Sequence, residues 1–191
     1  MGIHSIHALV GSIDLRQATR YHIYWWITYN LWAASQNREL EFDTNDIAII
    51  KLLTQVNETI IPALVSFDDN SNLVGLDAVI AGWGKLTDGL NPNILHTVNV
   101  RIISRDDCET IAYRVVQRYV YISERYLCTL AEPYALINSG DSGGPLIFGS
   151  FILGVNQGTC PRTGTIIDIR KANLHCGVDY YRMFINDLMQ V

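Results

Sequence analysis

Six consecutive residues, Gly140-Asp141-Ser142-Gly143-Gly144-Pro145, carry the clearest chemistry in the chain. A serine between glycines suits a nucleophile. Small neighbours let a substrate carbonyl approach the hydroxyl and let the backbone turn so that successive N–H groups converge. Convergent N–H groups can stabilise the oxyanion of a tetrahedral intermediate, and losing one such donor costs roughly 10²–10³ in rate. The reaction read from the loop is therefore acyl transfer through Ser142. A glycine-rich turn with an incidental serine is the plainer reading while the loop stands alone.

The elements around the loop narrow the choice. One scaffold for Gly-x-Ser-x-Gly puts a helix directly after the serine and places its acid and histidine later in the chain. Asp168 or Asp179 with His175 would complete that order. Here, however, Gly143-Gly144-Pro145 leads into an apolar run, Leu146-Ile147-Phe148, and alternating strand–helix units are absent. Short apolar or alternating runs recur at Ile6 to Gly11, Ile47 to Leu53, Ala78 to Trp83, Ile94 to Ile103, Pro145 to Phe148 and Phe151 to Asn156. Turn clusters separate them, as at Asp68 to Asn72 and Thr87-Asp88-Gly89. Many short strands with frequent turns predict an all-β sandwich or barrel. Two helices are expected. One spans Asp106 to Arg118 with Ser104 as N-cap, and the other is an amphipathic C-terminal helix over Val178 to Met189.

Composition removes other classes. The chain has 191 residues, 49% hydrophobic and 17% charged, with a net charge of −5. That is neither a disordered composition nor one suited to neutralising nucleic-acid phosphates. Tyr21 to Ala34 is too short and too interrupted by His22, Thr28 and Asn30 to span a bilayer, and reads as aromatic core strands. No basic start followed by a long apolar run opens the chain. Cys108, Cys128, Cys160 and Cys176 allow three pairings, and none has the spacing of a zinc site, so neither metal nor cofactor is expected. Asn57-Glu58-Thr59 is an N-glycosylation triplet, placed to be exposed after a strand.

Taken together, these motifs resemble the chymotrypsin-like, trypsin-type (S1) serine endopeptidases over roughly Ala8 to Val191. The hexapeptide around Ser142 matches the family's nucleophile motif throughout. Asn45-Asp46-Ile47-Ala48-Ile49-Ile50-Lys51-Leu52 looks like the strand bearing the triad aspartate, and Asp46 precedes Ser142 by 96 residues in the family's order. Ala81-Gly82-Trp83-Gly84 resembles the start of the second barrel. The resemblance implies two six-stranded antiparallel β-barrels, the first incomplete, with a C-terminal helix. In numbers, 1–65 is a remnant of the first barrel, 66–177 the second barrel and 178–190 the helix. It implies Ser142 as nucleophile and Asp46 as the residue orienting a histidine. It gives an oxyanion hole from the N–H groups of Gly140 and Ser142, and makes Asp141 the acid that accepts a new N-terminal ammonium. Leu136, Asn156, Gln157 and Gly158 would line the specificity pocket. Cys108 and Cys128 would form a disulfide.

Departures from the family are equally specific. No Ala-Ala-His-Cys precedes Asp46, and His4, His7 and His22 stand in other settings. No Ile-Val-Gly-Gly precedes the first motif, which leaves Asp141 without a visible cationic partner. The family's cysteine four residues before the serine is Asn138, so Cys160 loses its partner and Cys176 is the remaining candidate to pair with it. Leu136 stands where Lys/Arg-directed members carry a carboxylate, which points to a smallish apolar substrate residue. Gln157 replaces an aromatic on the pocket wall. The expected activity is serine-type endopeptidase, with this stretch of chain inactive for want of the histidine. The alternative is a catalytically dead homologue that binds without cutting. Expected partners are protein or peptide substrates and protein inhibitors. Nucleic acid and membrane are not expected, the protein is expected to be a monomer, and the family's location is extracellular.

Overall fold

The computed structural model describes residues 6–42, 45–162 and 168–189. His4 lies outside them. The chain divides into two compact units, Met1–Pro62 with Tyr181–Val191, and Ala63–Tyr180. The C-terminal residues 181–191 thus group with the N-terminal ones in a single unit.

In the first unit β1 (His7–Val10), β2 (Thr19–Thr28) and β3 (Ala48–Leu52) form an antiparallel sheet in the order β1-β2-β3. The aromatic run does not stay a strand. Helix α1 (Tyr29–Ser35) begins inside it, because the Thr28 hydroxyl accepts the Leu31 N–H and caps a new helix. Nor is the strand part core, since Tyr24 is 60% and Trp26 45% exposed. Burial lies instead where α1 meets helix α3 (Arg182–Met189). Trp32, Tyr29, Tyr181 and Phe184 pack there with ring centroids 5.0–5.6 Å apart. Helix α3 starts later than expected, since the Val178 N–H still bonds the Leu153 carbonyl of the sheet behind it.

In the second unit β5 (Asp77–Gly82), β6 (His96–Ile103), β7 (Tyr126–Leu130), β8 (Pro145–Phe148), β9 (Phe151–Cys160) and β10 (Ala172–Gly177) pair in the cyclic order β10-β7-β6-β5-β8-β9, and β9 pairs back to β10. All six junctions are antiparallel, so the sheet is a closed barrel. The short β4 (Leu64–Val65) joins β9 in parallel. Ile80, Val100, Ile102, Leu127, Leu146 and Leu153 fill the interior. Helix α2 (Arg105–Val116) is capped by Ser104 as expected, and the Cys108–Cys128 disulfide ties it to β7. The fold is therefore mostly β, with one closed six-stranded barrel, a second sheet and a C-terminal helix.

The pairing suggested for Cys160 and Cys176 is not formed; both are buried thiols. Cys160 lies opposite Ala172, whereas Cys176 is four residues further along β10, opposite Val155. At about 3.3 Å per residue that separation is near 13 Å, well beyond disulfide reach. Burial pushes the Cys160 thiol up to about 11.

Candidate functional site

Ser142 sits between β7 and β8, at the rim of a cleft of about 840 Å³ in the barrel unit. Leu136, Ile137, Asn138, Ser139, Asp141 and Gly158 share that cleft with it. The loop around Ser142 is shaped by three backbone bonds. The N–H of Asp141 donates to the Asn138 carbonyl at 3.0 Å, that of Gly143 to the Asn156 carbonyl at 2.8 Å, and that of Gly144 to the Asp141 carbonyl at 3.0 Å. The N–H groups of Gly140 and Ser142 donate to no acceptor among the described residues. Gly140 permits this arrangement because its φ of +99° lies where a side chain would be strained. The Ser142 hydroxyl is exposed and donates only a long bond, 3.4 Å, to the Gln157 carbonyl.

Among the described residues, backbone N–H groups hold Asp141. Its Oδ1 accepts the Gly84 N–H at 2.8 Å and its Oδ2 accepts the Asn138 N–H at 3.0 Å. Backbone donors of this kind satisfy a carboxylate that would otherwise be costly to bury. Gly82 and Gly84 have a steric role here: a Cβ on either would fall on the Asp141 carboxylate. The Ala81-Gly82-Trp83-Gly84 motif is thus the seat of the acid that precedes the serine. Asn138, standing where the family has a cysteine, donates from Nδ2 to the Lys85 carbonyl at 2.9 Å. A hydrogen bond therefore ties this loop to the neighbouring one.

Asn173, bonded to the backbone of the pocket wall, and Lys171, within that wall, were both missed by reading the sequence. Asn173 on β10 is fully buried. Its Oδ1 accepts the Ile137 N–H at 2.7 Å and its Nδ2 donates to the Ala135 carbonyl at 2.9 Å. The amide thus grips the backbone on both sides of Leu136. Lys171, 4% exposed, also lines the cleft. Neither stood out, because a polar residue within a short segment gives no signal of what it meets far along the chain, and the partners of Asn173 lie 36 and 38 residues away.

His175 is not a base for Ser142. It is completely buried in β10, and burial lowers its pKa to about 3. The Asn156 Oδ1, 2.9 Å from Nδ1, can only accept, so Nδ1 carries the proton and Nε2 accepts from the Thr129 hydroxyl at 3.0 Å. This removes the strand–helix scaffold with a downstream histidine, as does the strand β8 that follows the serine. Asn156 is 2% exposed and belongs to this buried network rather than to the open pocket wall. Its own N–H donates to the Gly144 carbonyl at 2.7 Å, which fixes β9 to the loop around Ser142.

Of the expected residues, the structure brings together Gly140, Asp141, Ser142, Leu136, Gln157 and Gly158. Asp46 is exposed and belongs to the other unit. So do His7 and His22, which face each other across β1 and β2 with ring centroids 4.9 Å apart. His96, at the start of β6, lines the cleft and was not anticipated. No helix among the described residues is long and apolar enough to cross a membrane.

The family model described as Trypsin matches residues 3–173. Among curated proteins, serine proteinase stubble of Drosophila melanogaster is 37% identical over 81 residues, 41% of this chain and 10% of that protein. Trypsin alpha of Drosophila erecta is 32% identical over 113 residues, 58% of this chain and 43% of its own length. The chain thus spans less than half the length of these relatives. Among solved structures, neuropsin, a serine protease expressed in the limbic system of mouse brain, superposes with a TM-score of 0.73 at 23% identity. The match covers 92% of this chain and 75% of that one.

Proposed function

The chain belongs to the trypsin family, and on that footing we propose that Ser142 is the nucleophile of a serine-type endopeptidase acting on protein or peptide substrates. The observation that carries the reading is the nucleophile loop. An exposed hydroxyl stands beside the N–H groups of Gly140 and Ser142, which meet no acceptor among the described residues, while the N–H groups at 141, 143 and 144 hold the loop. Ser142 Oγ attacks the scissile carbonyl, and the two N–H groups receive the oxyanion. Asp141, seated on Gly84 and Asn138, keeps the loop in that shape. In the family's arrangement Asp46 would orient a histidine that takes the serine proton, and residues 1–191 supply no histidine in that setting. Leu136, gripped through its neighbours by Asn173, favours a small apolar residue at the cut and offers a cationic one no counter-charge. The Cys108–Cys128 disulfide supports a secreted protein, since such bonds persist in oxidising compartments.

Serine without an adjacent base is a weak nucleophile. No histidine precedes Asp46 in the family's setting, so residues 1–191 alone turn over peptides very slowly. Triad-deleted enzymes retain roughly 10³–10⁴-fold over water from binding and the oxyanion hole. The test is incubation of residues 1–191 with a fluorophosphonate probe and a broad peptide library. Little turnover is expected, with slow labelling that Ser142→Ala abolishes. Labelling unchanged in Ser142→Ala would overturn the assignment of the nucleophile. Robust turnover lost in Ser142→Ala would overturn the inactivity, and His22, His4 and the cleft residue His96 would be the first bases to examine. Peptide binding retained by Ser142→Ala, with no labelling of the parent chain, would favour the non-cleaving homologue.

A further inference from the structure

Asn57-Glu58-Thr59 is the only Asn-x-Ser/Thr triplet in the chain. It lies in the first unit, in the exposed segment that follows β3. A turn closes over it, with the Ile60 N–H donating to the Asn57 carbonyl at 3.0 Å. Asn57 Oδ1 accepts twice, from the Thr59 N–H at 3.0 Å and from the Thr59 hydroxyl at 2.9 Å. The Asn57 N–H reaches the Tyr21 hydroxyl at 3.4 Å. The carboxamide is therefore held by its oxygen alone. Its Nδ2 donates to nothing among the described residues and, in a planar amide, lies on the side away from the bonded oxygen.

A second observation concerns the compartment. The Cys108–Cys128 bond belongs to an oxidising lumen or its exterior, which is where Asn-x-Ser/Thr triplets on surface loops acquire glycans. We infer that Asn57 is an N-glycosylation site whose glycan projects outward from this turn. The inference rests on the secretory reading above. The donor is an oligosaccharide on a polyprenyl diphosphate. A bond forms between Asn57 Nδ2 and the anomeric carbon, the bond from that carbon to the diphosphate oxygen breaks, and the carrier leaves with the electron pair. One Nδ2 proton passes to a base of the transferase, and nothing is oxidised or reduced. The folded turn accepts the product because the substituted atom is the one its hydrogen bonds leave unused. Leu53 and Ile61, 58% and 89% exposed and each four residues from Asn57, would come under the sugar.

The experiment expresses residues 1–191 behind a heterologous secretion leader in a eukaryotic cell, with leader removal confirming entry into the lumen. Glycosidase treatment of the denatured chain is then followed by peptide mapping. One gel-mobility shift is expected. It should be removed by the glycosidase with conversion of Asn57 to Asp, lost in Asn57→Gln and Thr59→Ala, and kept in Thr59→Ser. Reading the denatured chain makes the result independent of how well each variant folds. An unmodified Asn57 in leader-processed chain would overturn the inference while leaving the secretory reading standing. Secretion of the natural gene product is measured separately and bears on that reading alone.

Discussion

The two units use the same material, short antiparallel strands, and reach different solutions. In Ala63–Tyr180 the sheet closes, so every barrel strand has two neighbours, and all six residues of β10 are buried. In the other unit the three strands among the described residues form an open sheet with β1 and β3 at its edges. Strands β1 and β3 contain no fully buried residue, and β2 buries only Ile23. Closure satisfies backbone groups on both sides of each strand and encloses an interior. Without it the open unit draws its order from a helix pair. There Tyr29, Trp32, Tyr181 and Phe184 interlock, Trp32 Nε1 donates to Asp187 Oδ2 at 3.2 Å, and the Tyr181 hydroxyl donates to Asn45 Oδ1 at 3.2 Å. The chemistry-bearing loop sits on the closed partner, where its geometry is held from several strands at once.

The largest expected effect comes from removing the ring at the centre of that helix pair. Phe184→Ala should cost about 3–5 kcal/mol and should fall on the open unit. Denaturant unfolding followed by tryptophan fluorescence would then split, with Trp25, Trp26 and Trp32 reporting an early transition and Trp83 a later one. Ile50→Ala on exposed β3 is the control, expected to shift stability by no more than about 0.5 kcal/mol. A single cooperative transition in Phe184→Ala would break the distinction between the units.

Next in size is the disulfide. Cys108→Ala with Cys128→Ala should lower barrel stability by roughly 3 kcal/mol, the chain-entropy value for a loop of about twenty residues. Hydrogen exchange should quicken in β7 and α2 and stay unchanged in β1 and β3. Equal acceleration in both units would show that the bond stabilises more than the barrel.

The smallest effect is in pH. His175 has a folded pKa near 3, lowered by burial from 6.5. Between those values the unfolded chain binds the extra proton, so stability falls as pH falls through this window and is full above 6.5. The slope is at most about 1.4 kcal/mol per pH unit. His175→Gln should flatten it in the barrel's unfolding, measured at pH 7 and pH 4.5. An unchanged slope would assign the acid sensitivity to other groups.

The turn around Ser142 was legible because its cause is local: serine, glycines and proline within six residues prescribe it. The α2 cap at Ser104 and the run Pro145–Phe148 were legible for the same reason. Strand β10 was not, since Ala172-Asn173-Leu174-His175-Cys176 shows no alternation, being buried on both faces. The roles of Asn173 and His175 are set by Ile137, Ala135, Asn156 and Thr129, which lie 19 to 46 residues away. The aromatic stretch misled because Trp and Tyr favour strands, and the Thr28 cap that turns the chain into α1 was passed over. The seat of Asp141 was half visible: the motif around Gly84 was noticed as a family mark, but not as the acid's resting place.

That seat constrains the order in which the molecule could change. Segments 57 residues apart share one small volume, with the carboxylate of Asp141 filling the space that side chains on Gly82 and Gly84 would need. Alanine at either glycine while the acid is present expels the carboxylate and with it the loop around Ser142. Once residue 141 has been cut back to alanine, the carboxylate atoms that crowd both positions are gone, and the Cβ of residue 141 stays at an ordinary contact distance of 3.4 Å from a Cβ on residue 82. The three positions therefore form a ratchet in mutational history. Drift from this site must begin at the acid, and after a glycine has been filled, restoring Asp141 alone no longer restores the loop.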